Sequence, residues 1–133
     1  MASKSNAPVL PVIFDSSCWL EVFDGGARAA LFEKQAANVD SMIVPVITLY
    51  EVFKYLSRKL NADSATRAIT YMQRGLVVDM DSALILDAAS NGLPLADSLI
   101  YATAQLHHAE LWTQDAHFEG LAGVKYFAKG ANV

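Results

Sequence analysis

The chain has 133 residues, of which 53% are hydrophobic and 18% charged, and its formal net charge is −4. This length and composition favour a single folded domain with a buried core and exclude a disordered chain. No apolar run approaches the roughly 20 residues that cross a bilayer, and the first residues lack the apolar core of a secretory signal. The one cysteine cannot form an internal disulfide. We therefore expect a cytoplasmic protein without a membrane anchor.

Short apolar runs alternate with helical segments along the chain. The predicted strands cover residues 9–14, 42–45, 76–78, 111–113 and 124–127, the last at a sheet edge. The predicted helices cover residues 19–23, 27–37, 48–59, 65–73, 82–89 and 94–107. This alternation predicts an α/β fold with a mostly parallel sheet and helices on both faces. We expect residues 1–8 to be frayed and residues 9–133 to form one domain.

Basic and acidic residues are unevenly distributed along the chain. Between Arg28 and Arg74 there are seven basic and four acidic residues, whereas Gly75 to Val124 contains seven acids and no lysine or arginine. A basic region beside an acidic one can hold a phosphate backbone near metal-binding carboxylates, although ordinary solvated helix faces explain the same pattern. Lys54 and Arg58 lie on one face of a predicted helix and are candidates for contact with RNA.

Four acidic residues lie at positions where each has an ordinary structural explanation. Asp15 and Asp115 each follow an apolar strand and can cap the next helix. Glu51 comes three residues after Thr48, which is the spacing of a capping box. Asp97 lies in the first turn of a predicted helix, where the helix dipole favours an acid.

Taken together, the same four acids indicate a ligand site. They follow strands or lie in the early turns of helices, and in open α/β sheets this edge binds ligands. Carboxylates brought together repel one another, and their pKa rises unless a cation neutralises the group. Hard oxygen ligands without a nearby histidine or cysteine are typical of Mg²⁺ or Mn²⁺. Such a site can activate water and stabilise charge on a phosphodiester during in-line displacement.

Three motifs span nearly the whole domain: VIFDSSCWLEVF from residue 12, VPVITLYEVFKYL from residue 44, and LADSLIYATAQ with LWTQDAHF from residues 95 and 111. In their order and spacing they resemble the PIN domain, and specifically the VapC toxins of bacterial and archaeal toxin–antitoxin pairs. Each motif alone is loose, whereas the set is specific, above all the pair ADSLIYATA and TQDAHF.

The resemblance implies a three-layer α/β/α fold, with a central and mostly parallel sheet of about five short strands, and a divalent-metal-dependent endoribonuclease. It assigns the catalytic and metal-binding roles to Asp15, Glu51, Asp97 and Asp115, with Mg²⁺ or Mn²⁺ as the ion. By the same resemblance Ser16 and Thr113 would orient a water molecule or a ligand carboxylate. It also implies an RNA substrate, a cognate VapB-like antitoxin that covers the groove, and a homodimer.

Two other classes of protein also use clustered acids. A receiver-type phosphoacceptor module binds Mg²⁺, but it needs paired acids near the first strand and gives no role to Glu51 or Asp97. A phosphatase-like hydrolase of the haloacid dehalogenase type needs Asp-x-Asp after that strand, where this chain has Asp15 followed by two serines. We favour the nuclease and keep these two as alternative hypotheses.

The three histidines are interpreted as structural or surface residues. His107 and His108 are adjacent, so on a helix they point about 100° apart and suit the C-terminal end of the helix better than a shared metal. His117 lies two residues beyond Asp115 and could touch substrate or metal, but a surface position is the favoured interpretation.

Overall fold

A computed structural model describes residues 9–129 of the chain, so the predicted fraying of residues 1–8 lies outside the described residues. The strands are β1 Val12–Phe14, β2 Ile43–Pro45, β3 Leu76–Val78, β4 Glu110–Thr113 and β5 Val124–Tyr126. The α-helices are α1 Ser16–Phe23, α2 Glu33–Ala36, α3 Val46–Lys59, α4 Ala62–Met72, α5 Ser82–Ala89 and α6 Leu95–Leu106. Single turns of 3₁₀ helix cover Ala29–Leu31, Val39–Ser41 and Ala116–Phe118.

All hydrogen-bonded strand pairs in the described part of the chain are parallel. β4 lies between β1 and β5, and β2 pairs with β3. β1 also contacts β2, so the three-stranded and two-stranded parts lie side by side. Phe14 pairs with Trp112 at the C-terminal ends of β1 and β4. The register therefore brings the residues that follow these two strands to the same edge of the sheet.

The first two strands are buried on both faces, which explains why their sequences are apolar without alternation. Ile13 and Phe14 in β1 are both fully buried, and they belong to core clusters on opposite sides of the sheet. In β2, Ile43 belongs to the same cluster as Ile13, and Val44 belongs to the same cluster as Phe14. Successive side chains of a strand point to opposite faces, so helices must cover both sides.

Helices cover the two faces of the sheet unequally. The larger core cluster joins β1 and β2 to helices α1 to α4, and the smaller one joins them to α6, against which α5 packs. The predicted three-layer α/β/α architecture with a parallel sheet of five strands and β5 at its edge is thereby confirmed. No helix among residues 9–129 has the length and apolar character required to cross a membrane.

The structure corrects the predicted bounds of several helices. Residues 27–37 do not form one helix but two short turns, Ala29–Leu31 and α2. Phe32 lies between these turns with its side chain fully buried, so packing into the core overrides the helical propensity of the segment. The other corrections concern helix starts. Helix α3 begins at Val46 rather than at Thr48, with Pro45 as its N-cap residue, and α4 begins at Ala62 rather than at residue 65, because Asn61 caps it.

Candidate metal-binding active site

Asp15 is buried at the end of β1, where it caps helix α1. One oxygen of its carboxylate, Oδ1, accepts hydrogen bonds from the Ser17 hydroxyl at 2.6 Å and from the Cys18 N–H at 3.2 Å. The other, Oδ2, accepts a hydrogen bond from the Thr113 hydroxyl at 2.5 Å. Burial raises the pKa of Asp15, and these hydrogen bonds oppose the rise. The carboxylate is therefore held in one orientation.

Glu51 lies in the second turn of α3 and is partly buried. The Ser16 hydroxyl donates a hydrogen bond to its carboxylate. Thr48 is fully buried and donates instead to the Pro45 carbonyl at 2.7 Å, so the predicted capping-box explanation of Glu51 is wrong. Burial raises the pKa of Glu51, the Ser16 hydrogen bond opposes this, and the charges of Asp15 and Asp115 raise it further.

Asp97 and Asp115 lie on the open side of the site together with His117. Asp97 occupies the first turn of α6, as predicted. Asp115 caps the 3₁₀ turn Ala116–Phe118 by accepting the His117 N–H at 2.9 Å. The imidazole Nδ1 of His117 is 2.8 Å from Asp97 Oδ2 and 3.2 Å from Asp115 Oδ1. One ligand atom from each of these three residues lies within 4.8 Å of the others.

The charges of the four acids act on one another. Burial raises the pKa of Asp97, the His117 hydrogen bond opposes the rise, and the negative charges of Asp115 and Glu51 add to it. Thr113 connects the buried and open sides, because its hydroxyl donates to Asp15 and accepts the Asp115 N–H at 2.9 Å. The structure thus brings the four predicted acids together at the C-terminal edge of β1 and β4.

The donor set fits a divalent cation. Burial raises the pKa of three of the acids, and repulsion by neighbouring acids adds to the rise at Glu51 and Asp97. A bound cation would favour the charged form of all of them. The set of candidate ligands differs from the all-oxygen site that the sequence predicted, because a ring nitrogen of His117 lies among the carboxylate oxygens. His117 is exposed, as the sequence interpretation favoured, yet it contacts two of the acids. The only feature of the sequence that indicates this contact is the position of His117, two residues after Asp115.

One further polar residue, Gln114, was not predicted from the sequence to belong to the site. Gln114 is buried, and its side-chain amide donates to Glu21 Oε1 at 3.0 Å and accepts from Arg28 Nε at 2.7 Å. Its backbone N–H donates to the Ser17 hydroxyl at 3.2 Å. These hydrogen bonds hold the segment that carries Asp115 against α1. The only feature of the sequence that indicates this role is the position of Gln114 between Thr113 and Asp115.

Lys54 and Arg58 lie on the exposed face of α3, beyond Glu51. They border an open groove of about 690 Å³ whose other lining residues are mainly apolar or aromatic: Leu49, Tyr50, Phe53, Ser57 and Ile69. The Lys54 ammonium donates to the Tyr50 hydroxyl at 3.3 Å and lies 5.5 Å from the centre of that ring. This face therefore combines positive charge with exposed aromatic surface.

Residues 12–124 match the PIN domain family. The chain belongs to this family. The matched range includes all four acids, and the match confirms the resemblance that the sequence motifs indicated. Family membership also favours the nuclease interpretation over the receiver and phosphatase hypotheses.

Solved structures of toxins have the same PIN fold. A toxin–antitoxin complex from Klebsiella pneumoniae is similar at a TM-score of 0.71 and 25% identity, covering 86% of this chain and 95% of that chain. DNA-bound VapBC from Salmonella typhimurium is similar at 0.66 and 17% identity, covering 90% and 98%. The sarcin-ricin loop cleaving toxin VapC20 of Mycobacterium tuberculosis is similar at 0.67 and 14% identity, covering 81% and 91%. No significant sequence match is found among curated proteins.

Proposed function

We propose that this PIN domain is a divalent-metal-dependent endoribonuclease and the toxin of a toxin–antitoxin pair. The observation that carries the proposal is the convergence of Asp15, Glu51, Asp97 and Asp115, in which the charges of neighbouring acids raise the pKa of Glu51 and of Asp97. The similarity to a toxin–antitoxin complex and to VapC toxins supports the same assignment. The receiver and phosphatase hypotheses lack a comparable observation.

Asp15, Asp97 and Asp115 would hold Mg²⁺ or Mn²⁺, and Glu51 would complete or tune the site. When bound, such an ion supplies positive charge for the developing phosphodiester transition state and lowers the pKa of water. Neighbouring side chains hold the acids in position by hydrogen bonds. Ser16 holds the Glu51 carboxylate, and Thr113 sets the spacing between the segments that carry Asp15 and Asp115.

The exposed face of α3 would guide the RNA strand to these acids. Lys54 and Arg58 can contact phosphates, and Tyr50 can stack on a base. Tyr50 is 58% exposed, so its ring is available for stacking. The double variant K54Q/R58Q should weaken RNA binding by roughly ten-fold and flatten its dependence on salt, measured by fluorescence anisotropy. K34Q is the matched control, because Lys34 is an exposed lysine on α2. Equal binding by all three proteins would remove this face from the proposal.

A cognate VapB-like antitoxin would cover the acids, presenting a basic side chain to them, and the toxin would form a homodimer in the cytoplasm. Membership of the PIN domain family and the similarity to VapBC complexes support the antitoxin as partner. Light scattering on the purified chain, alone and co-expressed with its genomic neighbours, tests the partner and the homodimer. A monomer that captures no co-expressed partner would count against both statements.

The experiment that tests the proposed activity is the mapping of RNA ends after induced expression. The wild-type chain should create new ends at defined positions, and D97N should not. D63N is the matched control, because Asp63 is likewise an acid in the first turn of a helix, so both substitutions remove the same interaction with a helix dipole. New ends in D97N cells, or none in wild-type cells, would refute the assignment.

A further inference from the structure

The imidazole of His117 is placed among the acids as a ligand would be. We infer that its Nδ1 atom is a nitrogen ligand of the divalent ion, and that the site consequently favours a first-row transition metal over Mg²⁺. This inference rests on the proposed metal-dependent function and deepens it. It is carried by the position of one atom, which is 2.8 Å from Asp97 Oδ2 and 3.2 Å from Asp115 Oδ1.

The backbone around His117 fixes the direction of its ring. The 3₁₀ turn Ala116–Phe118 begins directly after Asp115, which accepts the His117 N–H with its carboxylate and the Phe118 N–H with its carbonyl at 3.1 Å. Phe118 is fully buried and anchors the other end of the turn in the core. His117 thus projects from a turn that is held at both ends, although 57% of its own side chain is exposed.

The observed separations are those of neighbouring ligands. Two ligands at right angles around an ion with bonds of about 2.1 Å lie about 3 Å apart, and both distances from Nδ1 are close to this value. Without an ion, a protonated imidazole would have to share its one Nδ1–H between two carboxylates in a three-centre hydrogen bond; with an ion, a deprotonated Nδ1 would be a ligand beside them. A shared ion accounts for both contacts.

The nitrogen ligand has a consequence for the choice of metal. Mg²⁺ prefers oxygen ligands and gives up its water reluctantly, whereas imidazole suits transition metals. A site made only of the four acids would accept Mg²⁺ and Mn²⁺ with less discrimination. His117 therefore distinguishes this site from a purely carboxylate one, and its removal should lower affinity for Mn²⁺ more than for Mg²⁺.

Pulsed electron paramagnetic resonance with Mn²⁺ as the probe tests the inference without an activity assay. Mn²⁺ bound to the full chain should show modulation from a directly bound ¹⁴N, and H117A should abolish it. H117A should also weaken Mn²⁺ binding by about ten-fold and Mg²⁺ binding by less, as measured by competition for the Mn²⁺ signal. H108N is the control, because His108 is exposed with φ of 52°, a conformation that asparagine tolerates.

The possible results separate this inference from the function on which it rests. If wild-type protein binds Mn²⁺ and D97N does not, but no nitrogen coupling is seen, the metal site stands and His117 is not a ligand. If H117A binds both ions as tightly as wild type or more tightly, His117 is an internal counter-ion that the metal displaces, which also overturns the inference. If the wild-type chain binds neither ion, the proposed metal-dependent function fails as well.

Discussion

The two sides of the acid cluster differ in burial and in what holds them. Asp15 is only 4% exposed and accepts hydrogen bonds from three neighbouring residues. On the other side, the side chains of Asp97, Asp115 and His117 are 17%, 35% and 57% exposed. The buried side is part of the scaffold that joins β1, α1 and β4, whereas the open side is where a ligand can reach. Substitutions on the two sides should therefore have separable effects.

The largest effect on stability should come from D15A on the buried side. Removal of the carboxylate leaves the Thr113 hydroxyl without its acceptor in a buried environment. It also removes the side-chain acceptor of the Cys18 N–H, which keeps only the Asp15 carbonyl at 3.3 Å. We expect the free energy of unfolding to fall by roughly 3 kcal/mol, measured by urea denaturation. D115A should lose about 1 kcal/mol, because it removes an exposed cap. Equal losses would abolish the distinction between the two sides.

A smaller loss should follow from T113V, which removes the hydroxyl that joins the two sides. The variant leaves Asp15 Oδ2 and the Asp115 N–H without this partner, and we expect a loss of about 2 kcal/mol in the free energy of unfolding. The rate of RNA cleavage should fall as well, since the Thr113 hydroxyl no longer links Asp15 to Asp115 by hydrogen bonds. T113S restores the hydroxyl and should recover most of both properties; failure to do so would assign the effect to packing.

A small effect of opposite sign should come from E51Q in metal-free protein. Folding raises the pKa of Glu51 above its ordinary value of 4.5. Its contribution to stability is therefore present below pH 4.5 and is lost as the pH rises through the folded-state pKa. Glutamine does not titrate, so E51Q should be more stable by about 1 kcal/mol near neutral pH.

The measurement for E51Q is urea denaturation in the presence of a chelator at about pH 5 and near neutral pH. The difference between E51Q and wild type should grow with pH. The raised pKa values of Asp97 and His117 change wild-type stability in the same direction, so only the comparison between the two proteins isolates Glu51. A difference that does not change with pH would mean that folding does not raise the pKa of Glu51.

Much of this cluster could be predicted from sequence because local rules determine where each acid lies. Asp15 and Asp115 follow strands whose apolar sequences mark their C-terminal ends, and parallel pairing brings those ends to one edge. Asp97 was predicted from its place in a first helical turn. The cap interpretations of Asp15 and Asp115 were also correct, so a structural role and a place in the cluster coexist in one residue.

The features that sequence did not predict depend on tertiary contacts. His117 contacts Asp97, which is 20 residues away in the sequence. The contact forms between the start of α6 and the turn after β4, so no local sequence pattern predicts it. The start of α3 was misplaced because Thr48 packs in the core and bonds back to Pro45. Residues 27–37 have a helical composition, but burial of Phe32 divides them into two turns.

We propose that the convergent acids form a metal-dependent ribonuclease site. The most direct test of this proposal is cleavage of single-stranded RNA by purified wild type, D97N and D63N across a titration of Mg²⁺ and Mn²⁺. We predict no cleavage with a chelator, cleavage by wild type and D63N that saturates with metal, and a rate for D97N lower by on the order of 10²–10³-fold. Metal-independent cleavage, or equal rates for D97N and D63N, would contradict the account.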